Sequence, residues 1–288
     1  MPTTTSEDQQ ARLTAAEIFA RAVEVGEEEL KRSVAGLTFS GLAAGIGMGL
    51  SGLGSAAVLA AVGHARGAEL LAALLYPIGF IAVIVGRAQL FTENTLFPVI
   101  LVLDRRRHLR MTARLWAIVF TANVLGALLF AVLTVATNAL EPGIRGALVD
   151  LGIGASRGSW THLFWAGLAG GWIIALVAWV VTASRFTIAQ VALIWLLTFV
   201  VGAAHLAHCI AGSAEILSAV VAGHLAVSRY LLWLSAAAVG NAVGGVVLVS
   251  LLNYGQVVGG GREHELAERT LEEVEEETRL VGGRPRSD

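Results

Sequence analysis

Charge is scarce in this chain: 15% of its 288 residues are charged while 56% are hydrophobic, and the mean hydropathy is +0.71. Soluble domains carry about 25% charged residues, so the balance argues against a water-soluble globule. Cysteine is nearly absent, and the single Cys209 excludes an intramolecular disulfide framework. The polar, acid-rich stretch through Glu29 lacks the basic, apolar and small-residue succession of a cleaved secretory signal, so the first spanning helix is expected to act as its own insertion signal. Metal-ligand spacing is also missing. His205, His208 and Cys209 lie close in sequence, but no further ligand accompanies them and structural zinc asks for four; neither metal nor cofactor is expected. No phosphate-binding glycine loop and no nucleophile–base pair is found, which argues against an enzyme, and no nucleic-acid partner is expected.

What is present is a set of uncharged or nearly uncharged runs at Val34 to Val62, Leu70 to Leu103, Thr112 to Thr137, Trp160 to Ser184, Phe186 to Ala222 and Tyr230 to Tyr254. Roughly 20 apolar residues cross a hydrocarbon core of about 30 Å, so these runs predict an all-α integral membrane protein with six transmembrane helices. The second and fifth runs are too long for one span. Each holds polar or helix-weakening residues near its middle: Thr92, Glu93, Asn94 and Pro98 in one, His205, His208, Gly212 and Ser213 in the other. Both are expected to be broken helices whose irregular backbone faces inward, because lipid cannot satisfy free amides and carbonyls.

The basic cluster Asp104 to Arg110 is expected on the cytoplasmic side, which puts both termini there in a multi-pass protein of the inner (plasma) membrane. Trp116, Trp160 and Trp233 are expected as interfacial anchors, with Trp179 and Trp195 deeper. Three regions follow: a cytoplasmic amphipathic segment at 1–33, in which Leu13, Ile18, Phe19, Ala22 and Val23 recur near helical spacing; a transmembrane domain at 34–258; and a cytoplasmic acidic helical tail at 259–288.

The third and sixth runs share Asn-x-x-Gly, as Asn123 to Gly126 and Asn241 to Gly244. The polar breaks fall at corresponding places before them, with Thr92 31 positions ahead of Asn123 and His208 33 ahead of Asn241. Three spans per half is an odd number, so a duplicated unit inserts upside down relative to its twin, giving two inverted three-helix repeats. Paired interrupted segments in inverted halves point to a transport site at the midplane. Small residues at four-residue spacing, in Gly41, Gly45 and Gly49, in Gly167 and Gly171 and in Gly240 and Gly244, are a helix-packing signal.

The wording Gly86-Arg-Ala-Gln-Leu-Phe-Thr-Glu-Asn-Thr95, the stretch Ala207-His-Cys-Ile-Ala-Gly212 and Asn241-x-x-Gly-Gly245 together resemble the formate/nitrite transporter family, in its YfdC-like branch, over roughly Val34 to Val258. The resemblance implies an aquaporin-like fold and a homopentamer in the lipid bilayer with one pore per protomer. It implies a loop of Leu90, Phe91 and Thr92 from the second span and a pore histidine, His208, from the fifth. The implied apolar constrictions draw on Tyr76, Phe80, Leu90, Phe91, Phe199 and Val201. Better-studied members often carry an asparagine where Gly171 falls, an acidic residue where Ala207 falls and an asparagine where Gly212 falls. Arg87, Glu93 and Glu215 add membrane-embedded charge, with Arg87 expected to pair with Glu93 or Glu215.

The implied solute is a small monovalent anion or its weak acid. Carrying the bare anion through a dry constriction costs at least several kcal/mol, whereas protonating a carboxylate with a pKa near 4 costs about 4 kcal/mol at pH 7. Neutralisation by His208, with Thr92 binding the entering solute, is the cheaper route. A channel for neutral solutes shares the plan, although the Asn-Pro-Ala pairs expected of an aquaporin are absent. A proton-coupled carrier, a membrane enzyme using His205, His208, Cys209 and Glu215, and a sealed structural protein are the other readings.

Overall fold

The computed structural model describes residues 13–63, 65–105, 108–137 and 139–259. Among them every regular element is helical. A surface helix, α1 (Ala15–Lys31), leads into α2 (Val34–Val62), and a helical run interrupted twice follows: α3 (Ala68–Ala73), α4 (Pro77–Val85), a single 3₁₀ turn (Glu93–Thr95) and α5 (Phe97–Arg105). The third run is α6 (Leu109–Ala131), continued in π-helical form over Val132–Ala136. After α7 (Pro142–Ala155) come α8 (Trp160–Thr182), the broken pair α9 (Thr187–Ala203) and α10 (Ala211–Val221), and α11 (Val227–Gly245), extended by a π-helical stretch (Val246–Leu251) and α12 (Leu252–Gly259).

Five helical stretches, Val34–Val62, Ala68–Val85 (α3 and α4 together), Leu109–Ala136, Trp160–Thr182 and Val227–Val257, are long and apolar enough to cross a membrane. The fifth apolar run of the sequence is instead divided into α9, of 17 residues, and α10, of 11, neither of which is long enough alone. At 1.5 Å per residue, 11 residues rise about 17 Å, roughly half a hydrocarbon core.

Local chemistry sets the boundaries. Ser33 and Ser159 cap α2 and α8, their hydroxyls accepting from the amides of Gly36 and His162. Pro77 and Pro142 open α4 and α7, and Pro98 lies in the first turn of α5, where a missing amide costs nothing. α2 ends at Gly63, whose φ of 65° a residue with a side chain reaches only under strain.

The two halves pack alike. α2 lies against α6 as α8 lies against α11, and α1 lies against α5 as α7 lies against α10. Glycines let the backbones touch. A side chain at Gly45 would collide with the Asn123 carbonyl and one at Gly171 with the Asn241 carbonyl; one at Gly126 would strike the Leu42 carbonyl and one at Gly244 the Leu168 carbonyl. Lipid supplies no hydrophobic drive between helices, so close backbone contact of this kind is what holds the pairs together.

α1 and α7 belong to the repeat as well. Gly26 of α1 abuts the Phe97 carbonyl and Gly152 of α7 abuts the Glu215 carbonyl. Ser33 and Ser159, Gly26 and Gly152, and Gly45 and Gly171 are each 126 positions apart. The apolar face of α1 is covered by the protein itself rather than by the membrane surface: Phe19, Ala22, Val23 and Leu30 are buried in the main core. The stretch from Glu141 to Ser159, between the third and fourth crossings, is mostly α7. The acidic tail after Gly259 and most of the basic cluster at 104–110 lie outside the described side chains.

Candidate functional site

Between α4 and α5, and again between α9 and α10, the chain leaves the helix through a residue in the left-handed region, Arg87 with φ 57° and His205 with φ 50°. Neither is glycine, and such conformations persist only where the surroundings enforce them. One asparagine from the neighbouring run grips each break. The Asn123 side-chain amide donates to the carbonyls of Gly41 and Gln89, both at 2.8 Å, and its oxygen accepts from the amide of Phe91 at 2.9 Å. Asn241 repeats this, donating to Gly167 at 2.7 Å and Ala207 at 2.8 Å and accepting from Cys209 at 2.8 Å. Arg87 and His205, Gln89 and Ala207, Phe91 and Cys209, and Asn123 and Asn241 are each 118 positions apart. The offset is smaller than in the first elements because α8, at 23 residues, is shorter than α2, at 29, and so is the link after it.

This register corrects the alignment of Thr92 with His208 read from sequence. The counterpart of His208 is Leu90, and that of Thr92 is Ile210, so at its centre one half presents an apolar side chain and the other an imidazole. Thr92 and His208 meet across the two halves instead, Thr92 Oγ1 lying 2.8 Å from His208 Nε2. His208 Nδ1 accepts a hydrogen bond from the amide of Ala211 at 3.1 Å. An acceptor Nδ1 carries no proton, so the ring is neutral and protonated on Nε2, which donates to the threonine oxygen. Thr92 accepts that bond and keeps its own hydroxyl proton to donate elsewhere.

The apolar residues read as constrictions divide into groups. Phe80 is fully buried, edge-on to His208 with ring centroids 4.9 Å apart, and tilts against Tyr76 at 5.5 Å. Val201 is buried nearby, and Leu90 is buried in the other break. Phe91 turns from the histidine to an aromatic cluster with Phe120 and Trp116. Phe199 does not join them: it is half-buried and stacks on Trp195, whose indole donates to the Leu74 carbonyl.

Arg87 is exposed, Glu93 half-buried and Glu215 buried, and among the described residues no ion pair joins Arg87 to either carboxylate; the expected pair does not form. His205 and His208 do not share a helix face, because 204–210 is not helical. His205 is exposed, with Nε2 3.4 Å from a Glu69 carboxylate oxygen. No cluster of three or more metal-ligating side chains occurs among the described residues.

The roles of several participants were not read from sequence. Gln89 and Asn94 are buried and bonded to each other, and the Trp116 indole donates to the Asn94 carbonyl at 2.8 Å, which ties that tryptophan to the break rather than to a membrane interface. Trp233, expected as an interfacial anchor, is 1% exposed; its ring occupies the space that a side chain at Gly212 would need. Gly171 likewise has no room for a side chain. At these two glycines helix contact and an indole take up the volume. The duplicated Asn-x-x-Gly wording was the available signal for the clamps; nothing local marks Trp233.

A cavity of about 1120 Å³ reaches from the bundle end carrying the last turns of α2 and the first turn of α8 inward to Tyr76, His208, Gly212, Glu215 and Trp233. The fold and site define a helical membrane protein whose two broken crossings meet at a buried threonine–histidine pair, the plan of a pore-forming transporter.

The family model described as Formate/nitrite transporter matches residues 16–255, and the chain belongs to that family. It is 32% identical over 236 residues to "Inner membrane protein YfdC" of Escherichia coli (strain K12), covering 81% of this chain and 75% of that protein. It is 26% identical over 214 residues to "Probable formate transporter" of Methanothermobacter thermautotrophicus, covering 68% and 78%. Among solved structures it superposes on one described as "FNT family ion channel" with a TM-score of 0.71 at 19% identity, over 83% of this chain and 96% of that one. It superposes on "Pentameric formate channel with formate bound" with a TM-score of 0.66 at 19% identity, over 78% and 97%.

Proposed function

We propose that the chain forms a transmembrane pathway for small monovalent anions or their weak acids, formate and nitrite being the type, in which His208 and Thr92 neutralise the solute at the centre of the protomer. The observation that carries this reading is the 2.8 Å contact between Thr92 Oγ1 and His208 Nε2, with Nδ1 already occupied by the Ala211 amide. The chain of donors runs in one direction, from backbone amide to imidazole to hydroxyl, and ends in an O–H available to an anion. An anion bound there gains a hydrogen bond from a polarised donor; a proton passed to it from Thr92 is replaced from His208 Nε2, and the ring takes up a proton from water in turn, so that both groups return to their neutral forms. The solute then crosses the apolar walls of Leu90 and Phe80 as the neutral acid, avoiding the several kcal/mol that a bare anion pays.

Three crossings per half turn the second copy upside down, so the two breaks approach from opposite faces of the bilayer. With the basic cluster on the cytoplasmic side of the inner membrane, both termini are cytoplasmic. The pentameric neighbour supports a homopentamer, whose contacts would cover part of the exposed apolar surface, such as Trp165 and Leu196. The protein acts as a conduit, not as an enzyme.

The test is flux from purified protein in liposomes against a panel of formate, nitrite, hydrosulfide, acetate, lactate and water, with and without a pH gradient. Rapid passage of one or more of the weak acids is expected; passage of water alone would place the protein among neutral-solute channels, and passage of nothing would sink the reading.

A further inference from the structure

The two halves also differ in chemistry at a second pair of equivalent positions. Phe97 in the first break and Glu215 in the second are 118 positions apart, and each offers its backbone carbonyl to the glycine of a surface helix, Gly26 or Gly152. One half thus places a phenyl ring there and the other a carboxyl. Glu215 is 7% exposed and lines the cavity that ends at His208. Its side chain lies against Gly52 of α2, where any Cβ would press on Glu215 Cγ, so the small residue makes room for it. No cation lies within 4 Å of it among the described residues. The same deep end of the cavity holds the buried Trp233, whose indole N–H has no partner among the described residues.

The surroundings do not neutralise the carboxyl. α2 and the π-helical end of α6 present no titratable side chain, and the arginines of α6, Arg110 and Arg114, lie at its opposite end. From α7 come Arg145 and, lining the cavity, Asp150; α11 contributes Tyr230, bonded to Ser213, and Arg229, bonded to the carbonyls of Ser156 and Gly158. Tyr76 and His208 complete the deep end. Glu69, Arg157, His162 and His205 line the wider part. The cavity therefore carries three carboxyls against one arginine, the wrong balance for gathering anions.

We infer that Glu215 is a second proton-exchange residue of the pathway, handing protons between the open cavity and a weak-acid solute on its way to or from His208. The inference rests on the transport reading above. In one direction the carboxylic acid of Glu215 gives its proton to the solute anion, leaving carboxylate and neutral acid, and water of the cavity returns the proton. In the other, the carboxylate takes the proton of an arriving neutral acid and releases it to water as the anion departs.

The test is formate flux in proteoliposomes made with the full chain, measured at equal pH on both sides over a series from acidic to neutral, for the wild type, Glu215→Gln and Glu215→Asp. Wild-type flux that varies with pH, a flattened profile in Glu215→Gln and a profile restored in shape by Glu215→Asp are expected, with assembly checked by size. If Glu215→Gln does not assemble, a shifted profile in Glu215→Asp supports the inference and an unshifted one overturns it. A Glu215→Gln profile superimposable on the wild type overturns it alone, whereas absence of any wild-type weak-acid flux removes the transport reading together with it.

Discussion

Thr92 and His208, 116 residues apart, are joined by a 2.8 Å contact in which the imidazole donates and the hydroxyl accepts. Because both groups are buried, neither has water to replace its partner if the other is removed.

Thr92→Val keeps the shape and removes the acceptor, leaving a buried N–H unpaired at a cost of about 1–3 kcal/mol. If that cost falls on the permeation barrier, weak-acid flux drops roughly tenfold or more, while Thr92→Ser preserves it. Flux of Thr92→Val equal to the wild type would show that the hydroxyl takes no part.

His208→Phe fits the aromatic surroundings of Phe80 but carries no exchangeable proton. Flux in a pH series is expected to fall and to lose its pH dependence. Unchanged flux with an unchanged profile would leave His208 as a tie for the break and nothing more.

Asn123→Leu and Asn241→Leu each remove three hydrogen bonds to backbone groups of a break that lipid and core cannot replace. With about 1–3 kcal/mol for each orphaned buried group, either substitution should lower the melting temperature sharply or prevent assembly. Because the clamps are equivalent, the two should cost alike; a harmless Asn241→Leu would contradict the geometry.

Gly171→Asn would drive a side chain into the Asn241 backbone. Loss of stable protein is expected, seen as reduced yield of detergent-extracted oligomer. Gly146→Ala, with open space around it, should be tolerated in the same assay.

Burial holds the Glu29 carboxyl of α1 above the usual carboxylate range, against the opposing pull of Gln89 and Arg32. A raised value in the folded state means that docking of α1 is strongest at pH below the ordinary carboxylate range and weakens as pH rises through the folded value. Glu29→Gln should remove that dependence and tighten α1 near neutral pH, read out as slower proteolysis of the N-terminal segment.

Sequence alone determined the membrane-spanning helices, the two interruptions and the duplicated asparagines, because a bilayer imposes length and polarity limits that composition records directly and because the copies kept one short wording. It also supplied His208 and Thr92 as residues of interest, through resemblance. It could not set their register: the shared spacing suggested that they were equivalent, and only the paired clamps show that Leu90 and Phe97 are the counterparts of His208 and Glu215. The place of α7 as the twin of α1, the burial of Trp233 in the space left by Gly212, and the failure of Arg87 to reach Glu215 were likewise decided in three dimensions. Each depends on which backbone comes within contact distance of which, and that is a property of packed helices that no single stretch of chain encodes.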